Sequence, residues 1–165
     1  MTPLPPPLGR GEIVFWRLDP LEFAATWNSG EGSFRYGGRW NSVGSRVTYA
    51  CLDPATATLE VAVHKGFQEL DAKPTVLTSA RILKAGQIHV VQPTDVPNPN
   101  WLAPAEANRN QQRFGDGLLA AHRFVLIPSA VSKFSWNLIF DATRSAADYD
   151  RVTQVAFALD PRLQP

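Results

Sequence analysis

An α+β domain with a mixed sheet and flanking helices is the fold class this sequence predicts, and three observations carry the expectation. The chain has 165 residues, which at about 150 residues per domain leaves space for one. Its hydrophobic share of 44% is close to the roughly 45–50% of globular proteins, enough to bury a core. Short apolar runs alternate irregularly with stretches of helical periodicity, and no period recurs.

Residues 1–11 are Pro-rich and read as an extended leader before a domain over 12–165. Residues 12–18, with Ile13, Val14, Phe15 and Trp16, predict the first strand, and Asp19-Pro20 starts a short helical turn. Between 28 and 45, five glycines interleave with Arg35, Tyr36, Arg39 and Trp40, the composition of a long functional loop. Residues 46–50 predict a second strand. Asp53-Pro54 reads as an N-cap with Pro at the first helical position. That helix is expected to reach about Gln68, with Leu59, Ala62, Val63, Gly66 and Phe67 as its apolar stripe. Strands follow at 76–83 and 87–91, then a connector carrying Pro93, Pro97 and Pro99. A polar helix is expected over 104–122, interrupted at Gly115 and Gly117, before strands at 124–127, 136–140 and 154–159.

Charge and cysteine counts exclude several classes. Sixteen basic against 15 acidic residues leave a net charge of +1, too small an excess for a general nucleic-acid binder. Twelve of the cations are Arg and four are Lys. Arg grips phosphate or carboxylate with a planar fork, although a GC-rich genome produces the same skew. The single Cys51 excludes a disulfide framework and a multi-cysteine zinc site, and the three histidines are scattered. No metal site is therefore expected. The N-terminus lacks a signal-peptide pattern and no run is long enough to span a membrane, so the expected location is cytoplasmic.

The Gly/Arg loop is the strongest local feature. Gly38 and its neighbours let backbone N–H groups approach an anion. Arg35 and Arg39, with Arg17 on the first strand, are candidates for a diphosphate, and Tyr36 and Trp40 for stacking on a flat ring. A surface loop with solvated arginines fits the same composition. The loop matches neither a Walker nor a Rossmann fingerprint. Glu60, flanked by Leu59 and Val61, is expected to be partly buried, and cleavage of a glycosidic bond requires a carboxylate beside an oxocarbenium ion. A paired surface carboxylate is the plainer alternative. His64, four residues on, is either an acid/base partner or a surface histidine. Ser129 directly follows a strand and either points into a cleft or caps a turn. Without Gly-x-Ser-x-Gly around it, it is no hydrolase nucleophile. Asn137 interrupts an apolar strand and needs hydrogen bonds if buried. Cys51 is expected to be a small core residue.

In order along the chain, Phe15-Trp16-Arg17, Gly37-Gly38-Arg39-Trp40-Asn41-Ser42-Val43-Gly44, Val47-Thr48-Tyr49-Ala50, Ala57-Thr58-Leu59-Glu60, Ile127-Pro128-Ser129-Ala130 and Trp136-Asn137-Leu138-Ile139 resemble the motifs of the RES domain family. The resemblance covers roughly residues 12–145. It departs where the family continues with Asn-Pro and His-Pro and this chain has Phe140-Asp141-Ala142-Thr143. The resemblance implies a fold similar to ADP-ribosyltransferase toxins, with two small sheets around an NAD cleft. It implies a toxin that depletes NAD by cleaving the nicotinamide–ribose bond and is neutralised by a helix-turn-helix antitoxin. NAD is then substrate and not cofactor, and the acceptor is water (a glycohydrolase) or inorganic phosphate (a phosphorylase). No membrane or direct nucleic-acid partner is implied, and a homodimer stays open.

The implied catalytic set is Arg39, Tyr49, Glu60 and Ser129. Arg17 and Arg39 would meet the phosphates or the nicotinamide ribose, and Tyr49 the nicotinamide. Glu60 would stabilise the oxocarbenium ion and hold a ribose hydroxyl, while Ser129 hydrogen-bonds substrate. Arg35, Tyr36, Gly38, Trp40, Asn41 and Asn137 join Arg17 as expected binding residues. Transfer of ADP-ribose to a macromolecule and a catalytically silent binding module are the alternatives.

Overall fold

Seven runs of β-branched and aromatic residues form strands in the computed structural model, which describes residues 12–160 and 162. The leader expected over 1–11 lies outside the described residues. The strands are β1 (Ile13–Pro20), β2 (Val47–Cys51), β3 (Thr75–Ile82), β4 (Ile88–Val90), β5 (Phe124–Pro128), β6 (Trp136–Asp141) and β7 (Tyr149–Phe157). Four α-helices accompany them: α1 (Glu31–Tyr36), α2 (Pro54–Lys65), α3 (Phe67–Ala72) and α4 (Arg109–Ala121). The sheet order is β4-β5-β6-β2-β1-β3-β7. Only β4 and β5 run parallel, so the sheet is mixed and the architecture α+β, as expected.

The two small sheets implied by the resemblance are here two halves of one hydrogen-bonded sheet. β1 pairs with β3 along its whole length, and β2 with β6 likewise. The halves meet at a single register pair, Trp16↔Cys51. Leu52 N donates to Trp136 O, so by alternation the backbone groups of the odd-numbered β2 residues face β1. Beside the junction the strands part, and the Tyr49 carbonyl accepts from the Arg17 side chain, Nη1 at 2.7 Å. A carbonyl stranded by the splay is thereby satisfied.

Strand alternation separates the core into layers. Phe124 and Leu126 pack with Phe15, Ala80, Leu138 and Phe140, while Val125 and Ile127 pack on the other face with Trp40, Leu119 and Ile139. A smaller group of Leu18, Ala62, Leu70 and Leu77 lies under α2 and α3.

Several local expectations change. The stretch 28–45 is not an unbroken loop, because α1 forms between Gly30 at φ 63° and Gly37 at φ 71°. Gly30 takes the left-handed helical conformation and Gly37 a positive φ with extended ψ, both favoured by glycine, so they punctuate the segment. α2 begins where expected, with Asp53 Oδ1 accepting from Thr56 N at 2.8 Å, but it stops at Lys65. The expected stripe is buried only at Ala62: Leu59, Val63 and Phe67 are exposed, whereas Thr56 and Ala57 join Ala62 in turning inward. α4 runs through Gly115 and Gly117 without interruption. Asp19-Pro20 closes β1, and a 3₁₀ turn (Leu21–Thr26) follows it. The last strand starts earlier than expected, at Tyr149. Among the described residues no helix is long and apolar enough to cross a membrane.

Candidate active site

Four side chains from separate elements form one hydrogen-bonded group around a carboxylate. Glu60 projects from α2, Ser129 follows β5, Asn137 lies on β6 and Cys51 ends β2. Ser129 Oγ donates to Glu60 Oε1 at 2.7 Å, and Asn137 Nδ2 donates to the same oxygen at 2.6 Å. The Ser129 oxygen accepts from Val131 N at 3.1 Å and Ser132 N at 2.9 Å. A hydroxyl has one proton and two acceptor sites, so these backbone bonds direct its proton at Glu60. The Cys51 thiol donates to Asn137 Oδ1 at 3.3 Å, which orients the amide with its NH₂ toward the carboxylate. Glu60 Oε1 is thus doubly engaged, and Oε2 takes no hydrogen bond among the described residues. His64, the expected acid/base partner, is exposed and stands outside this group.

Burial pushes the Cys51 thiol well above its ordinary pKa, Glu60 and Asp53 add to the rise, and Arg17 opposes it. A thiol held protonated is a poor nucleophile. Cys51 in native protein is therefore expected to resist Ellman's reagent at neutral pH and to react at once in denaturant. Equal rates in both states would contradict this placement.

Arg17 fills the gap between the sheet halves. Its Nε and Nη2 donate to Asp19 Oδ2 and Oδ1 at 2.8 and 2.7 Å, and Nη1 to the Tyr49 carbonyl. The Tyr49 hydroxyl is enclosed, donating to Asn41 Oδ1 at 2.8 Å and accepting from Trp40 N at 3.0 Å. Burial raises its pKa, with Asp116 adding to the rise and the Trp40 N–H and Arg39 opposing it. Gly38 is needed for this approach: a Cβ there would lie 2.5 Å from Tyr49 Oη and 2.6 Å from Asn41 Oδ1. Tyr49→Phe strands both Trp40 N and Asn41 Oδ1. We expect it to cost about 1–3 kcal/mol, read as a lower urea midpoint at unchanged slope.

The Gly/Arg segment behaves differently from the expectation. Trp40 is 1% exposed and packs edge-on against Phe114, so it offers no face to a ligand ring. Asn41 is fully buried, and its amide donates to the carbonyls of Ser33, Ser42 and Ser45, fastening the loop. Arg39 donates to the carbonyls of Trp101, Ala103 and Ala105, at 3.3, 3.4 and 2.7 Å. On α1, Arg35 pairs with Glu31 at 2.7 Å, and Tyr36 is 79% exposed.

Sequence reasoning missed the support behind this loop. Gln112 Nε2 donates to the Gly38 carbonyl at 3.0 Å, and Asp116 Oδ1 accepts from Ser42 N at 3.0 Å. Between them, Gly115 lets α4 touch the Trp40 backbone, since a Cβ would fall 2.0 Å from its carbonyl oxygen. The spacing of Gln112, Gly115 and Asp116 on one helical face was the available signal. Asp19, read as a turn-former, was also missed.

An α+β domain with a hydrogen-bonded carboxylate and a clamped arginine at a sheet junction is the class these features define. A family model described as the RES domain matches residues 14–160, and the chain belongs to that family. It is 30% identical over 154 residues to a protein of Pseudomonas putida named Toxin Res, covering 92% of this chain and 99% of that one. It is 29% identical over 163 residues to the Prs ADP-ribosylating toxin of Sphingobium sp., covering 90% and 95%. The crystal structure of the M. tuberculosis MbcT-MbcA toxin-antitoxin complex contains a similar fold, with a TM-score of 0.68 and 17% identity over 89% of this chain and 85% of that one.

Proposed function

We propose that this chain is a toxin that cleaves the nicotinamide–ribose bond of NAD and is neutralised by a helix-turn-helix antitoxin in the cytoplasm. The observation that carries the reading is the Glu60 carboxylate, whose Oε1 is fixed by Ser129 and Asn137 while Oε2 is left unengaged. As nicotinamide departs, positive charge builds on the ribose, and a preorganised carboxylate stabilises that charge and accepts a ribose hydroxyl. Ser129 and Asn137 keep the carboxylate aimed. Arg17 and Arg39 are both assigned to the substrate: Arg17 donates to Asp19 and the Tyr49 carbonyl, Arg39 to the carbonyls of Trp101, Ala103 and Ala105, and each guanidinium keeps N–H donors beyond these bonds. Water as acceptor gives ADP-ribose, nicotinamide and a proton; inorganic phosphate gives the phosphorylated ADP-ribose and nicotinamide. The name Toxin Res on similar proteins and the toxin-antitoxin complex of similar fold support the antitoxin partner.

The name of the Sphingobium relative favours a second reading, transfer of ADP-ribose to a macromolecule. NAD labelled in the adenine ring separates the two. Incubated with protein freed of its partner, the label is expected in small soluble products, with a phosphate-dependent product if phosphate is the acceptor. Label retained on a protein or nucleic acid supports transfer, and intact NAD overturns both.

A further inference from the structure

Resting on that NAD reading, we infer that Asp19 is a positioning residue that fixes the guanidinium plane of Arg17 for the substrate. Arg17 and Asp19 are two apart on β1, so their side chains leave the strand on the same side. Both carboxylate oxygens of Asp19 are taken up by Arg17, through Nε and Nη2. The Asp19 side chain is 7% exposed, whereas that of Arg17 is 29% exposed. The carboxylate is therefore the hidden member of the pair and the guanidinium the accessible one.

A guanidinium has five N–H donors. Three are spent on Asp19 and the Tyr49 carbonyl, which leaves two for a ligand. The bidentate fork and the Tyr49 contact hold the plane from two directions, across the gap where β1 and β2 part. The gap adjoins Cys51, which lies opposite Trp16, the residue before Arg17, and bonds Asn137 of the Glu60 group. A buried ion pair is a weak source of stability, since desolvation offsets its Coulomb attraction. Holding a flexible side chain in one geometry is what this pair does best, and binding anions bidentately depends on that geometry.

The test is steady-state nicotinamide release by wild type, Asp19→Asn, Arg17→Lys and the double variant, with Glu60→Gln as the inactive control. Asp19→Asn keeps the shape and loses the fork; it is expected to raise KM for NAD about 10- to 100-fold, the range that misplacement by roughly 1 Å produces. The double variant is expected to be no worse than Arg17→Lys alone, because the two residues act as one unit. If Asp19→Asn does not fold, Asp19→Glu keeps the charge, displaces the fork by one methylene and is expected to raise KM with folding intact. Active wild type with KM unchanged in both Asp19 variants, or effects that multiply in the double variant, overturns the role of Asp19 alone. Wild type that releases no nicotinamide overturns the NAD reading and this inference with it.

Discussion

Glu60→Gln is expected to lower nicotinamide release by about 10²- to 10³-fold, the loss typical of removing one preorganised charge-stabilising group, with little change in thermal stability. The argument lies in the two oxygens. Ser129 and Asn137 both donate to Oε1, and a glutamine carbonyl oxygen can occupy that position and accept both bonds. The amide nitrogen then replaces Oε2 and presents a donor where the ribose hydroxyl needs an acceptor. The negative charge opposite the developing cation is also gone. Shape and local hydrogen bonding survive, so a melting curve near that of wild type with turnover lowered by that factor is the expected pair of readings. Ser129→Ala differs in kind, because it also strips Val131 N and Ser132 N of their acceptor, and a loss of stability should accompany its loss of activity.

The second large effect is expected at Gly115→Ala, against what helix propensity alone dictates. Ala is favoured over Gly in a helix interior by about 1 kcal/mol, so an unpacked helix would gain. Here a Cβ would lie 2.0, 2.6 and 2.8 Å from the carbonyl oxygen, carbonyl carbon and Cα of Trp40. All three are backbone atoms of a buried residue, and the helix or the loop must move. Overpacking of this kind costs about 1–3 kcal/mol, occasionally more, which outweighs the propensity gain. Movement would also loosen the bonds from Gln112 to Gly38 and from Ser42 to Asp116. Gly117→Ala is the internal control, since nothing lies within 4 Å of its added Cβ and propensity should govern. A urea midpoint that falls for the first and rises for the second is the expected result; both rising would show that α4 does not press on the loop.

Much of the fold was legible because its signals are local. Asp53-Pro54 names a helix start by its own chemistry, and β5 and β6 announce themselves as apolar runs. α1 was hidden because six residues between two glycines look like loop, and only the rest of the fold stabilises so short a helix. The stripe on α2 holds only at Ala62, because that helix turns Thr56 and Ala57 inward beside it and leaves Leu59 and Val63 outside. Gly115 read as a helix breaker for a related reason: propensity carries no information about what packs against a residue.

The candidate site divides along the same line. Glu60 and Asn137 stand out as polar residues in apolar surroundings and Ser129 as a hydroxyl directly after a strand, and the structure brings them to one oxygen. Trp40 and Asn41 carry equally strong local signals but serve the loop's own packing, and sequence alone does not tell a conspicuous structural residue from a binding one. Gln112 and Asp116 act on a loop distant in sequence and only their shared helical face marks them, whereas Asp19 acts on Arg17, two residues before it, and reads as a turn-former.

The most direct measurement is nicotinamide released per NAD consumed by the purified chain, free of antitoxin, beside Glu60→Gln. One nicotinamide for each NAD lost with wild type, and release slowed about 10²- to 10³-fold with Glu60→Gln, is the outcome expected of a carboxylate-assisted cleavage. NAD left intact by folded wild type, or release by Glu60→Gln at the wild-type rate, would contradict it.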